Sequence, residues 1–135
     1  MDSFNLDKLM QNAINSQGTH YDVAMIIYFF YKDTFKIFED KWYKANDSVY
    51  PPKWEECVNG YNEMYINISR KIFDVFMEKH DQLYQCSVTA ETLELTDKFK
   101  EIARSVKKIA NNCKTVNYKN SLMKECKPLF TVYSL

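Results

Sequence analysis

The sequence predicts a mainly α-helical domain, a compact bundle of four or five helices with one small β-hairpin near residues 34–44. Three observations carry this reading. Chain breakers are scarce: 135 residues hold 2 Gly and 3 Pro against 10 Tyr and 9 Phe, too few turn formers for a many-turned β sandwich. Apolar residues recur at i, i+3, i+4 and i+7 in segment after segment, the spacing of one helix face. A composition of 46% hydrophobic and 27% charged residues belongs to a globular chain with a real core. At roughly 100–200 residues per domain, this is one domain, 1–135.

The elements follow in order. Asp2 or Ser3 caps a first helix whose stripe is Leu6, Leu9, Met10, Ala13 and Ile14, with Gly18 as its C′ stop. Thr19-His20-Tyr21-Asp22 reads as a capping box with Asp in place of Glu. It opens a helix over 20–32, apolar on nearly every face from Val23 to Phe30. A helix hydrophobic all round is a buried spine, and Tyr28 to Tyr31 are read as core. Thr34 to Phe38, a Glu39-Asp40 turn and Lys41 to Lys44 form the hairpin. A loop follows from Ala45 to Pro52, and Lys53-Trp54 leads toward the next helix, with Gly60 as a break.

The third helix is expected over 61–80, its apolar face Tyr65, Ile66, Ile68, Ile72, Phe73, Phe76 and Met77. The fourth starts from a cap at Thr89 or Ser87 and runs to about 112. Phe99, Ile102, Ala103, Val106, Ile109, Ala110 and Cys113 make its stripe. A last helix over 116–127 holds Val116, Leu122, Met123 and Cys126 before Pro128 stops it. The tail from Phe130 to Leu135 is apolar and strand-like, which points to a piece of a longer protein.

Several chemistries lack their residues. The longest apolar run, Val23 to Tyr31, falls far short of the roughly 20 residues a membrane span needs. The N-terminus is acidic at once and has no apolar signal region, so the expected location is intracellular, not secreted. Cys57, Cys86, Cys113 and Cys126 show no pair at metal-knuckle or redox spacing, and reduced thiols are expected. With Gly18 and Gly60 as the only glycines, no phosphate-cradling loop is possible. His20 and His80 are the only histidines, and they make no metal-ligand pair. The chain is expected to carry no catalytic residue, metal ligand or cofactor of its own.

Charge is balanced overall but unevenly placed. Residues 1–67 carry a net −4 and residues 68–135 a net +4; within 98–127 nine basic residues face two acidic ones. Lys100, Arg104, Lys107 and Lys108 stand at i, i+4, i+7 and i+8, one side of a helix. Lys114, Lys119, Lys124 and Lys127 continue the excess. Such rows neutralise phosphate backbones through counterion release, although most charged stripes are simply solvated faces. The second candidate surface is aromatic: Trp42, Tyr43 and Trp54, with Phe35 and Phe38, could stack on bases or pack the hairpin.

The order of His20-x-Asp22-Val23-Ala24, Tyr31-Lys32-Asp33-x-Phe35, Lys41-Trp42-Tyr43 and Lys53-Trp54 is distinctive. Ile68-Ser69 and Tyr118 to Cys126 follow it. Together these residues resemble the accessory domain that precedes the superfamily 3 helicase in poxvirus-type helicase–primases of nucleocytoplasmic large DNA viruses. Related domains occur in phage and plasmid primases. The resemblance spans about residues 18–130. It departs after the Trp-Tyr strand, where the family often has a short segment ending in His-Arg-Trp. Here a longer loop with Pro51-Pro52 leaves only Lys53-Trp54.

The resemblance implies a helical module of a viral DNA-replication protein. Such a module joins primase to helicase, supports the collar of a ring assembly and guides single-stranded or forked DNA. The neighbouring primase and helicase domains are its implied partners, with a homo-oligomer in the whole protein. ATP and magnesium are implied for the parent helicase only. The implied location is the host cytoplasm or nucleus. The competing expectation is a stand-alone helical adaptor for a protein partner, without nucleic-acid binding. A small enzyme with an unrecognised site is the third.

Overall fold

In the computed structural model, residues 2–135 are described, with side chains from Asn5 onward, so the side-chain cap expected at Asp2 or Ser3 lies outside what is described. The helices are α1 (Asp2–Asn15), α2 (His20–Tyr31), α3 (Gly60–Asn67), α4 (Phe73–Thr89), α5 (Leu93–Asn112) and α6 (Val116–Phe130). A π turn, Ile68–Ile72, makes α3 and α4 one continuous rod. The described residues thus form five helical rods. Strands β1 (Phe35–Phe38), β2 (Lys41–Asn46) and β3 (Lys53–Glu56) form an antiparallel sheet in that order. No helix among the described residues is long and apolar enough to cross a membrane.

The α1 stripe buries Met10 and Ala13 against α2. The helix ends in a Schellman turn: the Gly18 amide reaches the Ala13 carbonyl at 2.8 Å and the Gln17 amide reaches Ile14 at 3.1 Å. Gln17 occupies C′ at φ 58° and Gly18 the next position at φ 79°, one residue later than expected. The capping box does not form. Ser16 Oγ accepts the Thr19 amide at 3.3 Å, and the Thr19 hydroxyl donates to the Asp22 carboxylate at 3.0 Å. Asp22 therefore has no free amide to reach back to.

Helix α2 is the spine, but not on every face. Val23, Ala24, Ile26 and Ile27 are buried, whereas Tyr28, Phe29, Phe30 and Tyr31 are only half-buried. Met25, Tyr28 and Phe29 line an open groove beside Leu9 of α1.

The hairpin turns without glycine because Glu39 (φ 50°) and Asp40 (φ 64°) both take the left-handed region, the geometry that matches strand twist. The segment from Ala45 onward is not all loop. Strand β2 continues to Asn46, and Lys53–Glu56 pairs with it, Tyr43 opposite Glu56 and Asn46 opposite Lys53. Polar, charged side chains hid this strand, as they do on many sheet edges.

Gly60 starts α3 rather than breaking the chain. A Cβ there would lie 2.5 Å from Trp42 Cβ, so its absence lets the indole close on the helix. Met64, Ile68, Ile72 and Phe76 are all fully buried. Spacing by four drifts about 40° per step in an α-helix. The wider π turn takes up that drift and keeps the four in line. Ile66, expected on the apolar face, is exposed, and Met64 takes its place in the core.

Helix α4 runs on to Thr89, well past 80, because it packs along α5. The cap of α5 is Thr92, which accepts the Leu95 amide at 3.1 Å. Ser87 and Thr89 instead bond back to carbonyls of α4. In α6, Val116 is exposed, and the helix continues through Pro128 to Phe130. Phe130 is buried between Tyr28 and Trp42, with centroids at 5.1 and 6.1 Å. Burying a Phe is worth about 1.5–3 kcal/mol, enough to hold the last turn past a proline. Beyond it, Thr131 bridges Ile37 in parallel and the Val132 amide donates to the Ile37 carbonyl at 2.8 Å. The strand-like tail is thus a single clip on the β1 edge.

Candidate nucleic-acid interface

Helix α5 is divided cleanly. Ala103, Val106, Ile109 and Ala110 are buried on one side. Lys100, Arg104, Lys107 and Lys108 are all exposed on the other. None of the four takes part in any ion pair among the described residues. Asp97 and Glu101, their nearest acidic neighbours on the helix, do not neutralise them by contact. The result is a row of four unpaired cations on a rigid element, spaced by the helix itself.

The lysines beyond α5 do not extend this row. Lys114 Nζ sits 3.8 Å over the Phe73 ring, and Lys119 Nζ sits 4.0 Å over Tyr65. These cation–π contacts fasten the α5–α6 turn and the start of α6 to the α3–α4 rod, each worth about 0.5–1 kcal/mol when exposed. Lys124 faces a separate cleft beside Trp42, Tyr61 and Lys127.

The pleat separates the aromatic candidates. Ile37 pairs with Trp42 and Phe35 with Lys44, so Trp42 shares the core face with buried Phe35 and Ile37. Its ring is packed by Phe35 at 5.9 Å and Phe130 at 6.1 Å. Tyr43 and Trp54 lie on the opposite, outer face with Lys36 and Phe38. There Lys36 Nζ lies 4.3 Å over the Trp54 ring, and Phe38 meets Tyr43 at 6.2 Å. Of the five aromatics named from sequence, Phe38, Tyr43 and Trp54 share the outer face, and Phe35 and Trp42 face the core. Sequence reasoning missed Lys36 and Tyr61, and it placed Lys127 in the basic excess rather than in the cleft beside Trp42. A period-2 count on both strands could have placed Lys36 beside Trp54, but Tyr61 depends on the rod's approach to the sheet.

The Lys44 ammonium, 2.9 Å from Glu63, holds that carboxyl below its usual range. Burial and the adjacent Glu63 carboxylate raise the Cys57 thiol, whose Sγ donates to Glu63 at 3.3 Å. Burial pushes Cys113 and Cys126 up to about 12. All three thiols move away from the thiolate form that nucleophilic chemistry needs. His80 bonds Asp81 at 2.9 Å and stacks on Tyr84. Among the described residues, no three His, Cys, Asp or Glu side chains gather as a metal site.

No family model and no curated protein matches the chain. Fold and site together define its class as a mainly helical domain with a small antiparallel sheet and one unneutralised basic helix face.

Proposed function

We propose that the chain is a non-catalytic module that contacts single-stranded or forked nucleic acid through the basic face of α5. The observation that carries this is the row Lys100, Arg104, Lys107 and Lys108, exposed, unpaired and held in line by a helix buried on its other side. Phosphates along a strand present charge at regular intervals, and such a row releases their counterions. With the resemblance in its motif order, the reading extends to a part of a viral helicase–primase. There it would link primase to helicase, support the ring collar and act in the host cytoplasm or nucleus. ATP and magnesium would serve the helicase domain, not this one.

The test is fluorescence anisotropy of a labelled single strand and a fork at about 50 and 200 mM salt. Affinity should fall with salt with a log–log slope of about −3, at roughly −0.7 per phosphate contact for single strands. Changing all four α5 cations to Glu should abolish binding. No binding at low salt would overturn the reading. It would then favour the adaptor, for which the exposed Tyr84, Val88, Leu93 and Leu95 where α4 meets α5 are the supporting observation.

A further inference from the structure

A cleft of about 260 Å³ lies between the β1–β2 hairpin, the start of α3 and the end of α6. Its walls are flat and apolar on one side: Trp42 and Tyr61, with ring centroids 6.5 Å apart and planes at 83°, and Met123 below. Its rim is cationic on the other: Lys124 and Lys127, one turn apart on α6. Asp40, from the hairpin turn, completes the rim and holds Lys127 at 3.4 Å.

The walls are set in advance. Trp42 is wedged by Phe35, Phe130 and the Cβ-free surface of Gly60. Tyr61 is stacked on Tyr65 at 6.1 Å, which Lys119 covers in turn. A planar ligand entering the cleft would meet the face of one ring and the edge of the other without rearranging either.

The charges select among planar anions. Asp40 already neutralises Lys127, so a ligand with one carboxylate would replace like with like and leave Lys124 unused. A phosphate monoester carries about −1.5 to −2 charges at neutral pH and three acceptor oxygens, which matches both ammoniums. The Asp40 side chain is 84% exposed, so it can swing to water or accept a hydrogen bond from the ligand.

We propose that this cleft binds a 5′-phosphorylated nucleotide, its phosphate between Lys124 and Lys127 and its base against Trp42 and Tyr61. The nucleotide is either free or the end of a strand. The site uses none of the α5 cations and stands independently of the reading above.

The chain has 2 tryptophans, so Trp54→Phe leaves Trp42 as the sole reporter. Titrating this variant with thymidine 5′-monophosphate should change Trp42 emission, and thymidine should not. Adding Lys124→Ala and Lys127→Ala should weaken the response by about tenfold or more, given the strength of hydrogen bonds to charged groups. Tyr61→Ala should weaken it as well, whereas the four α5 substitutions should leave it unchanged. A 5′-phosphorylated oligothymidylate that binds better than its 5′-hydroxyl twin assigns the site to strand ends. Equal binding of the two, with the monophosphate still bound, assigns it to free nucleotides. An unchanged Trp42 signal at millimolar monophosphate overturns the proposal. So does an equal response to inorganic phosphate, or a response only to the acidic peptide Glu-Phe-Glu. Loss of long-strand binding in the α5 variant with nucleotide binding retained, or the reverse, separates the two sites.

Discussion

The Tyr118 hydroxyl donates to the carbonyl of Gly18 at 2.6 Å, joining residues 100 positions apart. The same glycine faces Ile109: an added Cβ would lie 2.9 Å from Ile109 Cγ1 and 3.1 Å from the Tyr118 oxygen. Three helices therefore meet on a residue with no side chain. Gly18→Ala is expected to lower stability by about 1–3 kcal/mol, since φ is 79° and the space is filled. Tyr118→Phe is expected to cost about 1–2 kcal/mol by stranding that carbonyl. Urea midpoints of the two variants check both.

The same region fixes how stability responds to alkali. Burial raises the Cys113 and Cys126 thiols from 9.0 to about 12, and it raises Tyr118 as well. Above the unfolded values, the unfolded chain loses protons that the folded chain keeps, which favours unfolding. Their contribution should be fully present below pH 9 and lost as pH rises toward 12. Denaturation midpoints measured at fixed ionic strength should stay flat on the neutral side of 9 and fall beyond it.

Thiol labelling gives a second reading of the same burial. Cys86 is exposed, whereas Cys113 and Cys126 are buried. Iodoacetamide on native protein at neutral pH should modify Cys86 first, and Cys113 and Cys126 only after denaturant is added. Peptide mass mapping over time reads the order.

Lysines of one sequence cluster should separate by role. Lys114→Gln removes the cation over Phe73 and should cost about 0.5–1 kcal/mol of stability. Lys107→Gln, exposed and unpaired, should leave stability within about 0.5 kcal/mol. It should also reduce the salt slope of strand binding by about 0.7. A matched loss of stability in both variants would contradict the assignment.

In the core, Phe76→Ala should cost about 3–5 kcal/mol, because Phe76 of α4 is fully buried in the hydrophobic core. Tyr133, 94% exposed, is the control and should shift stability by less than about 0.5 kcal/mol on replacement by Ala. Calorimetry distinguishes them.

Helix α5 was the most legible element, since its stripe from Ala103 to Cys113 is buried as the 3.6-residue spacing dictates. The hairpin was legible from β-branched and aromatic residues despite its glycine-free turn. Strand β3 was not, because Lys53, Glu55 and Glu56 are polar at an edge where pairing needs only backbone. The end of α6 was misread because Pro128 is a local stop signal, and only the distant rings around Phe130 outweigh it. The basic row was readable as one helix face. That Lys114 and Lys119 are spent on aromatic rings was not, since Phe73 and Tyr65 approach them only through the folded rod.

The clip formed by Thr131 and Val132 covers the free edge of β1, whose inward residues Phe35 and Ile37 are almost wholly buried. An uncovered strand of that kind is a template for pairing with other chains. A cut that removes residues 131–135 therefore does more than subtract one hydrogen bond. It turns the inner end of the sheet into an adhesive surface, and the shortened chain should aggregate, as light scattering on concentration would show, while its helices remain folded.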